Sequence, residues 1–303
     1  MNPMRLALGC LLLVILFASS AWSQTVRTFV ASTGLDTNPC SRTAPCRTFN
    51  AALAAVSAGG EVVALDTAGF GSNVTINKAV SVISPGGVFG GIWVPSGDGI
   101  TISAGPSEVV NLRGLTLNGQ GGTNGINFIS GAAVHVENCV VNGFGMGIRF
   151  TNSGKLFVKD STIRKNITGI FIGTTGPIAA SIDHVRLTEN TGAGLDVVDG
   201  AKVSIRNSVS SGNATGINST STQPAGVEVN VENCLVAGNA NGIASAVDPG
   251  GTSSIVRMSD STVTDNQIGL VQILAGALLS RGNNTVEGNG TDEVGTIGSY
   301  TAK

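Results

Sequence analysis

A short motif that recurs about every 24 residues restricts this chain to a repeat architecture. The motif has four positions: an aliphatic residue, a charged or polar residue, a polar residue that is usually Asn or Asp, and a residue that is usually small. Its copies start 22 to 27 residues apart, at Val136, Val158, Ile182, Ile205, Val231 and Met258. Repeats of this length, built from short β-type runs without a helical pattern, are typical of a solenoid.

An asparagine recurs six residues after the third position of most motif copies, and Gly-Ile or Gly-Leu usually follows it. Amides stacked in consecutive coils can bond one another and also satisfy the backbone of the turn. The sequence therefore predicts an asparagine ladder of Asn166, Asn190, Asn213, Asn239, Asn266 and Asn289. Phe144 and Gln120 occupy this place in two earlier repeats, so we expect the ladder to begin at Asn166.

A column of charged residues precedes the predicted corner of each coil. Its members alternate in sign, in the order Arg113, Glu137, Lys159, Asp183, Arg206, Glu232. Parallel stacking would place opposite charges one rung apart, where they can pair. We interpret this column as structural, because a slipped rung would bring like charges together.

The composition fits a long stack of short strands. The 43 glycines, the 12% charged fraction and the 4% aromatic fraction suit tight turns and a narrow aliphatic interior. Residues 61–296 have room for about ten coils, although the register before residue 99 is left open. We therefore predict an all-β parallel β-helix over residues 61–296, preceded by a strand, a loop and a helix in residues 24–60. Residues 297–303 are expected to be a closing segment.

The predicted helix covers residues 47–58, where Phe49, Ala52, Leu53 and Val56 form an apolar stripe. Gly59 and Gly60 would end it. A helix placed just before a solenoid can cover the open end of the first coil, whose unpaired strand edges would otherwise favour aggregation.

Residues 1–23 have the features of a secretory signal peptide. Arg5 precedes an apolar run over residues 6–18, and Ala21-Trp22-Ser23 provides a small-x-small cleavage site. The run is short for a bilayer span, so we expect no membrane span after its removal. The protein is therefore expected to be secreted or periplasmic. In that environment Cys40 and Cys46, six residues apart, predict a local disulfide.

This layout resembles the right-handed parallel β-helix proteins of the pectate-lyase-like superfamily. Secreted members, which include some polysaccharide lyases, have a similar N-terminal segment that leads into the coil and caps it. The similarity lies in residues 34–39, Thr48-Phe49 and residues 60–63. The resemblance covers nearly the whole chain after residue 23, and it implies a right-handed coil. The shared motifs are structural requirements of the coil, so they imply little about activity.

Catalytic signatures of that superfamily are missing from the sequence. Ile182-Asp183-His184 is similar to the Trp-Ile-Asp-His segment of pectate lyases, but it lacks the Trp and lies in the ordinary repeat. The Gly-His-Gly of polygalacturonases and the Gly-Arg-Pro-Trp of pectin methylesterases are absent. Acids are spread one per coil, so we expect no metal and no cofactor. The net charge of −2 gives no basic surface for nucleic acid.

The outward position after each Gly-Ile pair is the best candidate site. Relatives place saccharides along the equivalent groove, and a cation, an aromatic face and a carboxylate in sequence could hold a sugar chain. The predicted substrate-binding residues are Asn127, Arg149, Phe171, Asp196 and Asn218. Arg149 and Asp196, two coils and roughly 10 Å apart, are also the candidates for catalysis.

Three functions are compatible with these observations. Because aromatic residues are few and the catalytic signatures are missing, we expect non-catalytic binding of a polysaccharide or a cell-surface component. The first alternative is a polysaccharide lyase or glycoside hydrolase that acts on a uronate-type polymer through Arg149 and Asp196. The second alternative is a structural, adhesin-like rod.

Overall fold

The computed structural model describes residues 25–301, apart from the side chains of residues 174 and 175. The predicted signal peptide lies outside the described residues. Within them the chain forms one helix and 30 strands. The strand β1 (Arg27–Val30) and the helix α1 (Phe49–Ala55) form the N-terminal end.

Ten coils follow, each containing three strands. Coils one to three consist of β2 (Gly60–Ala64), β3 (Ala68–Gly69), β4 (Val74–Ile76), β5 (Val80–Ile83), β6 (Gly90–Val94), β7 (Ile100–Ser103), β8 (Val109–Arg113), β9 (Leu115–Gly119) and β10 (Asn124–Ser130). Coils four to six consist of β11 (Ala133–Glu137), β12 (Val140–Asn142), β13 (Met146–Lys159), β14 (Thr162–Arg164), β15 (Thr168–Asp183), β16 (Arg186–Thr188) and β17 (Ala193–Val198).

The last four coils have the same layout. They consist of β18 (Ala201–Arg206), β19 (Val209–Ser211), β20 (Thr215–Ser221), β21 (Val227–Glu232), β22 (Leu235–Ala237), β23 (Asn241–Val247), β24 (Ser254–Ser259), β25 (Thr262–Thr264), β26 (Ile268–Leu274), β27 (Ala277–Ser280), β28 (Thr285–Val286) and β29 (Thr291–Val294). A last strand, β30 (Ile297–Ser299), pairs in parallel with β27.

Three parallel faces result from this stacking. Face A contains β2, β5, β8, β11 and their successors, face B contains the ten strands from β3 to β28, and face C contains β4, β7, β10 and their successors. Faces A and C belong to one 20-stranded sheet, because the long strands β13 and β15 run through the corner between them. The prediction of a right-handed parallel β-helix with about ten coils is confirmed.

Left-handed residues make the tight corners on either side of face B. The corner between faces A and B is occupied by Asn138, Asp160, His184, Asn207, Asn233 and Asp260, with φ between 49° and 54°. Asn and Asp tolerate this conformation better than most residues, because their short polar side chains can bond the local backbone. The repeat motif is therefore a corner motif.

Side-chain alternation fills the interior of the coil. Val134 and Val136 are fully buried, whereas His135 and Glu137, which alternate with them, are partly exposed. In the interior, the rings of Phe128 and Phe150 stack with centroids 4.1 Å apart. This continuous apolar interior provides the main driving force for folding.

The asparagine ladder is confirmed and is continuous. Asn166 Nδ2 donates to Asn190 Oδ1 at 3.1 Å, and Asn190 Nδ2 donates to Asn213 Oδ1 at 2.9 Å. The same contact links Asn213 to Asn239, Asn239 to Asn266 and Asn266 to Asn289. Each asparagine also accepts the backbone N–H of the preceding coil, and the first of them bonds Phe144. The ladder thus provides hydrogen-bond acceptors for backbone N–H groups in the turns, which have no strand partner.

The N-terminal helix is shorter than predicted. It spans Phe49–Ala55 rather than residues 47–58, because the Thr48 side chain caps its start and Val56 is already extended. All four residues of the predicted apolar stripe are nevertheless buried, since extended Val56 packs its side chain into the same core. Cys40 and Cys46 form a disulfide in the adjacent loop.

The register before residue 99, which the sequence leaves open, is regular. Gly60 pairs with Val80 and Val80 pairs with Val110, while Val74 pairs with Ile100. The coils therefore begin at Gly60. The asparagine ladder does not extend into these coils, whose turns contain glycines with positive φ such as Gly71, Gly97 and Gly121.

Candidate functional site

The five predicted binding residues lie in one row on face C. Asn127 pairs with Arg149, Arg149 with Phe171, Phe171 with Asp196 and Asp196 with Asn218. These side chains point away from the core, because the neighbouring Ile126, Ile148, Ile170, Leu195 and Ile217 point into it. We name Asn127, Arg149, Phe171, Asp196 and Asn218 the face C row. Its five rungs span roughly 19 Å at strand spacing.

The first half of the row is a hydrogen-bonded chain. Asp98 Oδ2 accepts a bond of 2.6 Å from Asn127 Nδ2, and Asn127 Oδ1 accepts one of 3.2 Å from Arg149 Nη1. Asn127 is only 8% exposed, so little of it is left for a ligand. Its structural role is to orient the Arg149 guanidinium, which is the partly exposed cation of the row.

Asp98 and Asn124 belong to this cluster, although they are not among the residues predicted from the sequence. Asn124 Nδ2 donates to Asp98 Oδ1 at 2.6 Å. Asp98 and Asn124 stand directly before the Gly-Ile pairs at Gly99 and Gly125. The predicted residues instead follow a Gly-Ile pair or, for Asp196, a Gly-Leu pair. The outward position before the glycine is the signal that could have found them.

The second half of the row holds an acid in a desolvated position. Burial raises the pKa of Asp196, and a hydrogen bond of 2.9 Å from Asn218 Nδ2 to its Oδ1 opposes that rise. Phe171 lies on the rung before it and is partly exposed. The row therefore presents a cation, an aromatic ring and a carboxylate in succession.

The row becomes apolar after Asn218. The next two rungs carry Ala244 and Val271, which are 4% and 7% exposed. These residues offer no hydrogen-bonding side chain. The polar part of the row thus ends where the two longer connections, residues 222–226 and 248–253, leave the coil.

His184 and Asp183 form a separate cluster at the corner between faces A and B. Asp183 Oδ1 is 2.8 Å from His184 Nδ1 and accepts a bond of 2.8 Å from Asn207 Nδ2. Arg206 Nη2 lies 3.2 Å from the other carboxylate oxygen. Burial acts to raise the pKa of Asp183, but the bond from Asn207 and the charge of Arg206 outweigh it and lower this pKa.

The charge column on face A has the predicted register but little pairing. Glu137 pairs with Arg113 and with Lys159, and Lys159 pairs with Asp183. Of this column, Arg206 and Asp183 come within ion-pair distance. The Lys159 ammonium instead lies 3.9 Å from Asp160, because the long side chain turns along its own coil.

Cys139 and Cys234 are buried free thiols. Burial raises the pKa of Cys139 to about 12 and that of Cys234 to about 11. Both thiols therefore stay protonated near neutral pH and act as small core side chains. Within residues 25–301, no cluster of His, Cys, Asp or Glu has a metal-binding arrangement, and no helix is long and apolar enough to cross a membrane.

A three-faced coil of parallel strands is the architecture of the right-handed parallel β-helix proteins. The chain belongs to this class, since the family model described as the right handed beta helix region matches residues 98–251 and 147–301. No curated protein matches the chain in sequence.

Two solved structures show the same fold. A pectate lyase, Pel9A, superposes with a TM-score of 0.69 and 17% identity, over 92% of this chain and 80% of that chain. An alginate lyase from Paenibacillus sp. str. FPU-7 superposes with a TM-score of 0.62 and 13% identity, over 91% of this chain and 99% of that chain. The resemblance to pectate-lyase-like proteins is confirmed for the fold.

Proposed function

We propose that this protein binds an acidic polysaccharide along the face C row without cleaving it, as a secreted or periplasmic protein. The observation that carries the proposal is the in-register succession of Arg149, Phe171 and Asp196 on adjacent rungs. The distance between successive sugars in an extended polysaccharide is similar to the distance between adjacent strands, so neighbouring sugars can contact side chains on neighbouring rungs. The two β-helix lyases with this fold, named for pectate and alginate, support a sugar polymer as the ligand.

Each side chain has a distinct part in this binding. The Arg149 guanidinium, oriented by Asn127, would pair with a uronate carboxylate. The Phe171 ring would stack on the C–H face of a sugar ring. Asp196 and Asn218 would bond sugar hydroxyl groups, with the Asp196 carboxylate as the acceptor and the Asn218 amide as a donor or acceptor.

The test compares Arg149→Gln and Phe171→Ala with Arg186→Gln in binding to polygalacturonate and alginate by calorimetry. Arg186 is an exposed arginine on face B, so it is a matched control for the loss of one positive charge. We expect the first two variants to bind about tenfold more weakly, a change of about 1.4 kcal/mol. Binding of the parent protein should weaken with added salt. Unchanged affinity in both face C variants would overturn the proposal.

A lyase is the second candidate, and the desolvated Asp196 favours it. An acid whose pKa is raised toward neutrality can exchange protons with substrate, and Arg149 on the other side of Phe171 can neutralise a uronate carboxylate. Lyase action creates an unsaturated sugar end, which absorbs ultraviolet light. An absorbance rise on incubation with the uronate polymers, lost in Arg149→Gln and in Asp196→Asn, would replace binding with catalysis as the function.

A further inference from the structure

Face B carries an exposed aromatic pair that the face C row does not include. Trp93 is 54% exposed and Phe89 is 48% exposed. They border a cavity of about 300 Å³ whose other lining residues are Gly69, Gly91, Ile92, Thr116 and Asn118. This volume is at the lower end of the range for small-molecule sites.

The backbone holds the two aromatic residues in place. The N–H of Phe89 donates to Thr67 Oγ1 at 3.1 Å, and its carbonyl accepts from the N–H of Ala68 at 3.0 Å. The N–H of Trp93 donates to the carbonyl of Gly71 at 3.2 Å. The backbone of both residues is therefore bonded to the preceding coil, and this sets where the two side chains leave the main chain.

Two glycines open the floor of the cavity. Gly69 and Gly91 pair in adjacent rungs of the same outward column, and Thr116 follows on the next rung. A Cβ atom on Gly91 would lie 2.6 Å from Cε1 of Phe89, so only a glycine lets that ring lie over the strand. The Phe89 ring thus lies on Gly91, and it lines the cavity together with Trp93, Thr116 and Asn118.

The chemistry of the lining suits a neutral sugar. Trp and Phe rings stack on the apolar C–H faces of pyranoses, while a threonine hydroxyl and an asparagine amide bond sugar hydroxyls. No charged side chain lines the cavity. Among the described residues, the outward-facing residues that pair between the strands of face B include no carboxylate.

A protein partner fits this surface less well than a sugar does. The rungs next to Trp93 carry Asn118, Asn142 and then the exposed Arg164, so the apolar area stays small. Stable protein interfaces bury about 800 Å² per partner around an apolar centre. A small aromatic pair in a polar surface suits a single sugar ring better, because one ring is covered by one or two aromatic faces.

We propose that Phe89 and Trp93, with Thr116 and Asn118, form a second saccharide-binding site on face B, specific for neutral pyranose chains. The site is independent of the face C row, since it lies on another face and contains no charge. A chain with both sites could hold an acidic and a neutral polymer together.

Trp93 provides a direct measurement of this binding. The sequence has two tryptophans, Trp22 and Trp93, and Trp22 lies in the predicted signal peptide, so the protein without residues 1–23 has Trp93 as its source of tryptophan fluorescence. In that form of the protein we expect cellohexaose or mannohexaose to quench the emission and shift it to shorter wavelength in a saturable titration. The response should persist in 1 M NaCl and weaken at least tenfold in Phe89→Ala.

Two control variants distinguish binding at the aromatic pair from nonspecific apolar adsorption and from binding at the face C row. Leu235→Ala removes another exposed apolar side chain of face B, and Arg149→Gln alters the face C row. Neither variant should change the neutral-sugar titration.

No response to either hexasaccharide, or a response unchanged in Phe89→Ala, would overturn the proposal. A dimer that sedimentation detects and that Trp93→Ala abolishes would also overturn it, because a second chain would then cover the aromatic pair. Loss of uronate binding in Arg149→Gln bears on the face C row alone.

Discussion

At the scale of single residues, the environment of Asp196 shows how a regular scaffold creates a chemically unusual group. The same outward position holds Arg149, Phe171 and Asn218 on other coils, all partly exposed, and Arg149 bonds Asn127 whereas Asn218 bonds Asp196. All of these positions pair in register on parallel strands. The neighbours on the rungs above and below therefore determine how the carboxyl of Asp196 behaves.

We expect Asp196→Asn to stabilise the protein at pH 7. The carboxyl has a reference pKa of 3.8, and burial raises its pKa in the fold, so the folded state binds the proton more tightly than the unfolded chain does. Stability therefore falls as the pH rises from 3.8 through the folded pKa, and the charge is a cost at neutral pH. The asparagine keeps an acceptor for Asn218 without the charge.

Urea unfolding at pH 7 and at pH 3 measures this effect. The gain in the free energy of unfolding should be present at pH 7 and should disappear at pH 3, where the carboxyl is protonated in both states. An equal gain at both pH values would show that the effect is unrelated to titration. Loss of stability at pH 7 would contradict the assigned direction of the pKa shift.

At the scale of structural elements, the asparagine ladder determines how one coil fits on the next. Asn213 Oδ1 accepts from the backbone N–H and from Nδ2 of Asn190, and its own Nδ2 donates to the Leu187 carbonyl at 3.0 Å. All of these groups are buried. The ladder therefore acts as a chain of obligatory bonds, in which each amide satisfies the coils on both sides.

Removal of one central amide should be costly. We expect Asn213→Ala to lower the free energy of unfolding by about 3 kcal/mol, because several buried polar groups lose their partners and each costs about 1–3 kcal/mol. Asn289→Ala is the matched control, since Asn289 is the partly exposed last member of the ladder and should cost less. Equal costs in denaturant unfolding of the two variants would contradict this account.

The charge column on face A should affect stability through repulsion more than through pairing. Asp183→Lys would place three positive charges on successive rungs, with Lys159 and Arg206 on either side. We expect a lower melting temperature at low salt, equivalent to about 1 kcal/mol, because the flanking Lys159 and Arg206 side chains are more than half exposed. High salt should restore part of the lost melting temperature, because it screens the repulsion. Asp183→Asn, which removes the charge without reversing it, should have the smaller salt dependence. An unchanged melting temperature at low salt would count against the column.

At the scale of the whole molecule, the chain is a one-dimensional stack in which each coil contacts its neighbours. The N-terminal end is covered by α1 and by β1, which pairs with β2 of the first coil. The core side of this cover consists of Phe49, Ala52, Leu53 and Val56. In such arrays stability is close to a sum of coil and interface terms, so damage at an end spreads from that end.

Leu53→Asp should therefore loosen the N-terminal coils first. The substitution buries an unpaired charge between the helix and the first coil, and the expected loss is about 3 kcal/mol or more. Hydrogen exchange should accelerate in β2 and β5 and leave β15, in the middle of the stack, protected. Leu235→Asp, on the exposed surface of face B, is the control for introducing an acid. Uniform acceleration along the whole stack would argue against local fraying.

The sequence alone determined the parts of this protein that repeat. The corner residues, the inward aliphatic positions and the ladder from Asn166 to Asn289 recur through the second half of the chain, and each requires a particular side chain in a particular conformation. A requirement that recurs at a fixed period can be recognised without coordinates. For the same reason the face C row could be aligned in register from the Gly-Ile pairs.

Only the tertiary structure decided the features that occur once. Burial of Asn127 and its use in orienting Arg149 depend on Asp98 from the preceding coil, 29 residues away. The cavity between Phe89 and Trp93 depends on the register of the irregular early coils, which no repeated motif specifies. Contacts between coils depend on how side chains of unequal size pack on adjacent rungs, and this packing leaves no periodic trace in the sequence.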